Sequence, residues 1–158
     1  LGSVPGCDEG WGLYAESLAD ELGLMPTPED RFGRLAARRW RLARVLVDLG
    51  VHSRLPVPDD VAALPGACRE WNRATVTAVL RHHTVISEGR LRFEVSRHLG
   101  WPAQPLAYAV GERVWQAGRR SAQAQARTEG GELDLRAFHN RGIDLGSVGL
   151  DLLASALH

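Results

Sequence analysis

No stretch of this chain alternates apolar and polar residues in twos. Apolar side chains recur instead at spacings of three and four, and glycine or proline closes most of the runs. Such a pattern folds as helices packed on helices, so the predicted class is all-α, a multi-helix array. The first stripe is Trp11, Tyr14, Ala15, Leu18 and Leu22, at i, i+3, i+4, i+7 and i+11. It predicts an amphipathic helix over 8–22, ended by Gly23 and Pro26. The polar side of this helix carries Glu9, Glu16 and Asp20, with Leu13 among them.

Thr27 or Asp30 caps a second helix that runs through Leu35, Trp40, Ala43 and Val47 to Gly50. Its part from Leu42 to Val51 is apolar on most faces and is expected to be buried. Residues 53–60 form a proline-rich turn, and a short helix from Asp59 or Asp60 stops near Pro65-Gly66. Further helices are predicted over 67–83, 93–99, 103–127, 133–143 and 147–157, with Pro102 suited to a first turn. Residues 84–92 hold a β-branched stretch and Ser87-Glu88-Gly89, and read as a loop with one extended turn. The 158 residues form a single all-α region without repeats or low-complexity tracts.

Charge and cysteine content narrow the function classes. Nineteen basic residues balance nineteen acidic ones, which argues against a polybasic nucleic-acid binder. No apolar run approaches the roughly 18 residues a membrane span needs. Every basic residue is arginine, the pattern of coding bias in a GC-rich genome or of selection for bidentate anion binding. Arg34, Arg38, Arg39, Arg41 and Arg44 are flanked by acids and spread over several helix faces, so a solvated, ion-paired surface is expected. Cys7 and Cys68 follow no metal-finger spacing, which points to a reducing, cytoplasmic compartment. The chain opens on Leu1 without a secretory n-region, and is expected to be a processed product or a piece of something longer.

Few residues suggest chemistry by type and spacing alone. Glu9 is either a solvated first-turn carboxylate that complements the helix dipole or a metal ligand. No HExxH pair is present, and the adjacent His82 and His83 make a poor chelate. His52 ends a buried helix, where an imidazolium favours the dipole, and His158 is terminal and expected to fray. Pro102 and Pro105 stiffen the approach to Tyr108, whose hydroxyl either makes a structural hydrogen bond or donates to a developing oxyanion. Gln104 stands four residues before it.

Several segments, in order, resemble a family. Asp8-Glu9-Gly10-Trp11-Gly12-Leu13-Tyr14-Ala15-Glu16 resembles the EGWxLYxE motif of a widespread bacterial family of zincin-like proteins of unknown function. Arg31-Phe32-Gly33-Arg34-Leu35 is similar to its RxGxL, and 44–52 to its RxVVDxGxH. Glu94-Val95-Ser96-Arg97 is similar to EVxRY, and 102–108 to PGQALxY. The tail 134–139 and Gly146-Ser147-Val148 match as well. His98 stands where the family has Tyr, Ala103 where it has Gly, Pro105 where it has Ala, and Gly149 where it has Pro.

The resemblance implies that the chain is the C-terminal portion of a larger helical metallopeptidase-like fold. Its HExxPGH helix, with two histidine ligands and a glutamate base, is absent from this sequence. Glu9 then matches the third zinc ligand, Tyr108 an oxyanion donor, and Arg97 and His52 cleft positions that contact substrate carboxylate or carbonyl groups, with Gln104 orienting them. Such a site leaves one position for water and lowers its pKa. The implied function is a zinc-dependent hydrolase of peptides or small amides. The fragment alone is expected to be inactive, without tightly bound zinc, able to self-associate, and partnered by the missing N-terminal part. The alternative is a non-catalytic helical binding or assembly module.

Overall fold

The computed structural model describes residues 2–158, and among them every regular element is a helix. In chain order these are α1 (Pro5–Glu21), α2 (Pro28–His52), α3 (Asp59–Ala62), α4 (Arg73–His83), α5 (Glu88–Gly100), α6 (Gln104–Thr128), α7 (Leu135–Ile143) and α8 (Leu150–Leu157). The all-α expectation holds. No helix among the described residues is long and apolar enough to cross a membrane, and both cysteines are free.

Helix starts follow side-chain chemistry. Thr27 and Asp30 form a reciprocal capping box on α2. Asn72, Ser87 and Asp134 each accept the N3 backbone N–H of α4, α5 and α7. Several boundaries differ from the sequence reading, that of α8 among them, which begins at Leu150 and not at 147. Helix α1 begins at Pro5, whose missing N–H costs nothing at a first turn. Helix α4 begins only at Arg73, because the Asn72 cap sets its start. Helix α5 begins at Glu88, so Ser87-Glu88-Gly89 is a helix start and not a loop.

The chain divides into two compact units. One comprises the N-terminal stretch to Leu24 and Ala107–His158; the other is Met25–Leu106. The first packs Cys7, Tyr14, Trp115, Ala122, Phe138, Leu153 and Leu157 into one core, with Trp11 against Trp115 at 4.8 Å between ring centroids. Leu13, read as part of the polar side of α1, is buried. Glycines let helices touch here: a Cβ on Gly10 would collide with the backbone of Gly111, and one on Gly111 with Gly6. The second unit packs α2, α4 and α5 around Val47, Val76, Val79, Leu80, Leu91 and Val95. Burying one such side chain contributes roughly 2 kcal/mol, enough to override the weak helix propensity of the Thr75-Val76-Thr77 run. Buried Thr75 is satisfied by the Cys68 backbone N–H at 3.1 Å.

Candidate functional site

In the second unit, Arg44, Asp48 and His52 stand one turn apart on a single face of α2. Arg90, Glu94, Arg97 and His98 share a face of α5. Between them lies a sealed polar cluster: Asp48 is 1 %, Glu94 0 %, His98 1 % and Arg44 6 % exposed. Arg44 is therefore buried, against its sequence reading as part of a solvated arginine face. Its Nε donates to His98 Nε2 at 3.2 Å and its Nη2 to Gln104 Oε1 at 3.1 Å. Arg97 Nη2 donates to the same Gln104 oxygen at 3.1 Å. Gln104, placed by the sequence near Tyr108, thus ties two guanidinium groups together.

Glu94 takes Arg90 Nε on Oε1 at 2.9 Å and faces His98 Nε2 with Oε2 at 3.3 Å. Burial first, and the Arg44 charge second, push the His98 imidazole down to about 4, so it is neutral at ordinary pH. Its Nε2 thus meets both the Arg44 guanidinium and the Glu94 carboxylate, while Nδ1 has no hydrogen-bond partner among the described residues. Asp48 accepts the Ala103 backbone N–H through both oxygens, at 3.0 and 3.1 Å. His52 Nε2 lies 2.8 Å from the His98 carbonyl and 3.9 Å from Asp48 Oδ1. Aromatic faces hold the arginines in place: Arg44 and Arg90 both lie 5.5 Å from the Trp40 ring, and Arg97 lies 5.6 Å from Trp101. Of the predicted site residues, Arg97 and His52 thus join one network.

Glu9 and Tyr108 belong to the first unit. Glu9 precedes Gly10 on α1, and Tyr108 lies one turn before Gly111 on α6, so both flank the point where those two backbones touch. Each is half-buried. The Glu9 carboxylate has no hydrogen bond or ion pair among the described residues. Sequence reasoning missed Glu112 beside this crossing, a carboxylate only 4 % exposed that accepts Gln116 Nε2 at 3.0 Å. An acid on the same helix as the apolar positions Val110, Val114 and Trp115 was the available signal.

The first unit also joins two segments that the sequence reading matched to motifs but gave no role. Tyr14 Oη lies 2.9 Å from His139 Nε2, and Arg119 donates to that hydroxyl at 3.4 Å while gripping Glu21 at 3.1 and 2.7 Å. Burial raises the Tyr14 phenol and lowers the His139 imidazole, which fits a phenol donating to a neutral ring. His158, expected to fray, instead places Nδ1 3.0 Å from Ser121 Oγ.

No group of three His, Cys, Asp or Glu side chains converges to hold a metal among the described residues. Glu9 is one oxygen donor, and a zinc site needs at least three protein ligands. The residues present do not by themselves fit a complete zinc site.

A family model described as bacterial protein of unknown function (DUF885) matches residues 1–157. The chain belongs to the DUF885 family. A solved structure similar to this DUF885 chain, "the putative lipoprotein from Colwellia psychrerythraea", is 28 % identical with a TM-score of 0.80. The match covers 97 % of this chain and 23 % of that one, so the chain spans about a quarter of the length of its solved relative. No curated protein matches the chain.

Proposed function

We propose that this DUF885 chain is the C-terminal part of a zinc-dependent hydrolase acting on peptides or small amides. The observation that carries the reading is the close approach of α1 and α6 at Gly10 and Gly111, with Glu9 next to the one glycine and Tyr108 one turn before the other. A half-buried carboxylate beside this crossing, with no hydrogen bond or ion pair among the described residues, is suited to being one metal ligand, with two histidines supplied from outside these residues. Zinc supplies Lewis acidity and a water of lowered pKa when bound. Tyr108 donates its phenol proton in a hydrogen bond to the developing oxyanion. In the second unit, taken by itself, Arg97, fixed by Gln104 and Trp101 yet 23 % exposed in its side chain, is suited to pairing with a carboxylate, and His52 to contacting a carbonyl.

The test is hydrolysis of a peptide-amide mixture by the longer protein. Tyr108→Phe should lower kcat by roughly 10²-fold with KM little changed, and Arg97→Gln should chiefly raise KM. Two variants with unchanged kinetics contradict the assignment. Two free cysteines suit the cytoplasm as the proposed compartment, whereas the solved relative is described as a lipoprotein. A second reading, a helical assembly module, is favoured by the exposed apolar side chains Phe32, Leu35 and Leu42 on α2.

A further inference from the structure

Helix α2 leaves Phe32, Leu35 and Leu42 uncovered, while Leu46 beside them packs against the core of its unit. Leu35 and Leu42 are 54 % and 47 % exposed, and with Leu46 they stand at i, i+7 and i+11 on one face; Phe32, 73 % exposed, lies one turn before them. Leu35, Leu42, Ala43 and Leu46 floor a groove of about 420 Å³ with Arg38, Arg39 and His83 at its rim. The rim is built: Arg39 Nε donates to His83 Nδ1 at 3.1 Å and its Nη2 reaches the His82 carbonyl at 3.4 Å. A leucine floor along one helix, edged by guanidinium groups, suits the ridge of another helix with acidic flanks.

A similar solved structure is much longer than this chain. A fold like this one, matched over 97 % of its length at a TM-score of 0.80, is 23 % of that chain, and more than three quarters of it lies elsewhere. We infer that the α2 groove seats an amphipathic helix from the remainder of a longer family chain, its apolar stripe on Leu35, Leu42 and Leu46 and its acidic residues against Arg38 and Arg39. The inference rests on the reading that these residues belong to a longer protein. It does not depend on zinc or on catalysis.

The test titrates the isolated 158-residue chain with the polypeptide encoded immediately before it, by calorimetry and multi-angle light scattering. A one-to-one complex is expected. Leu42→Glu and Leu35→Glu should each weaken it at least about tenfold, while the melting temperature of the chain alone moves by no more than about 2 °C, because both leucines are exposed on it. Arg38→Ser with Arg39→Ser, which leaves the leucine floor intact, should flatten the salt dependence of binding. Affinity unchanged by both leucine substitutions overturns the inference. A dimer of the chain alone that Leu42→Glu splits overturns it too, since a second copy then fills the groove, as does a gene that encodes nothing before Leu1. Zinc assay of the same complex separates the two readings. Docking that needs Leu42 in a zinc-free complex contradicts only the hydrolase reading; zinc uptake indifferent to Leu42→Glu contradicts only the docking.

Discussion

Asp48 holds the backbone N–H of Ala103 with both carboxylate oxygens, and Ala103 sits at φ 68° in the left-handed region. The pair fixes the turn that feeds Gln104 into α6. An L-residue there costs about 1 kcal/mol, which glycine relieves. Ala103→Gly, the residue of the resembled motif, should raise stability by up to about 1 kcal/mol, and Asp48→Ala should lower it by about 2–3 kcal/mol. Thermal melts of both variants check this; a destabilised Ala103→Gly would argue against strain at this turn.

Gly10 and Gly111 admit no Cβ, since each would meet backbone and not a flexible side chain. Gly10→Ala should therefore cost about 3 kcal/mol or more, whereas Gly12→Ala, where nothing lies within 4 Å, should be neutral or slightly stabilising. Urea unfolding of the two variants makes the comparison internal. Equal effects would dissolve the α1–α6 crossing as the anchor of Glu9.

Acid should destabilise the chain as pH falls below 6.5. An unfolded histidine takes up its proton near 6.5, but buried His98 does so only at about 4, and His139 is shifted in the same direction. The folded state thus binds fewer protons, so stability is full above pH 6.5 and falls as pH drops from 6.5 towards 4. The His98 share is on the order of 3 kcal/mol. His98→Gln, whose amide oxygen can still accept from Arg44, should flatten stability against pH in that window. An unchanged slope would mean that His98 is charged in the folded chain.

The helices were legible because their stripes repeat and their ends carry glycine and proline. Trp11, Tyr14 and Leu18 pack on the first core as their spacing predicts. The start of α5 was not, because Thr84-Val85-Ile86 has strand-like composition and Gly89 weakens a helix, while the deciding signal is one Ser87 hydroxyl on the Arg90 N–H. The buried cluster was hidden for a different reason. Arg44 and Asp48 are polar letters in an apolar run, and only the approach of α5 shows that Glu94 and His98 complete them. Gly10 read as part of a motif; its reason, Gly111, lies on another helix.

The central claim is that Glu9 is a zinc ligand completed from outside this chain, and zinc content by atomic emission tests it most directly. The purified 158-residue chain should hold well under one zinc per molecule, because one carboxylate does not complete the coordination. The longer protein should hold one, and its Glu9→Gln variant should lose most of it. A longer protein whose zinc content is indifferent to Glu9→Gln, or a tight one-to-one zinc complex of the 158 residues alone, would contradict the account.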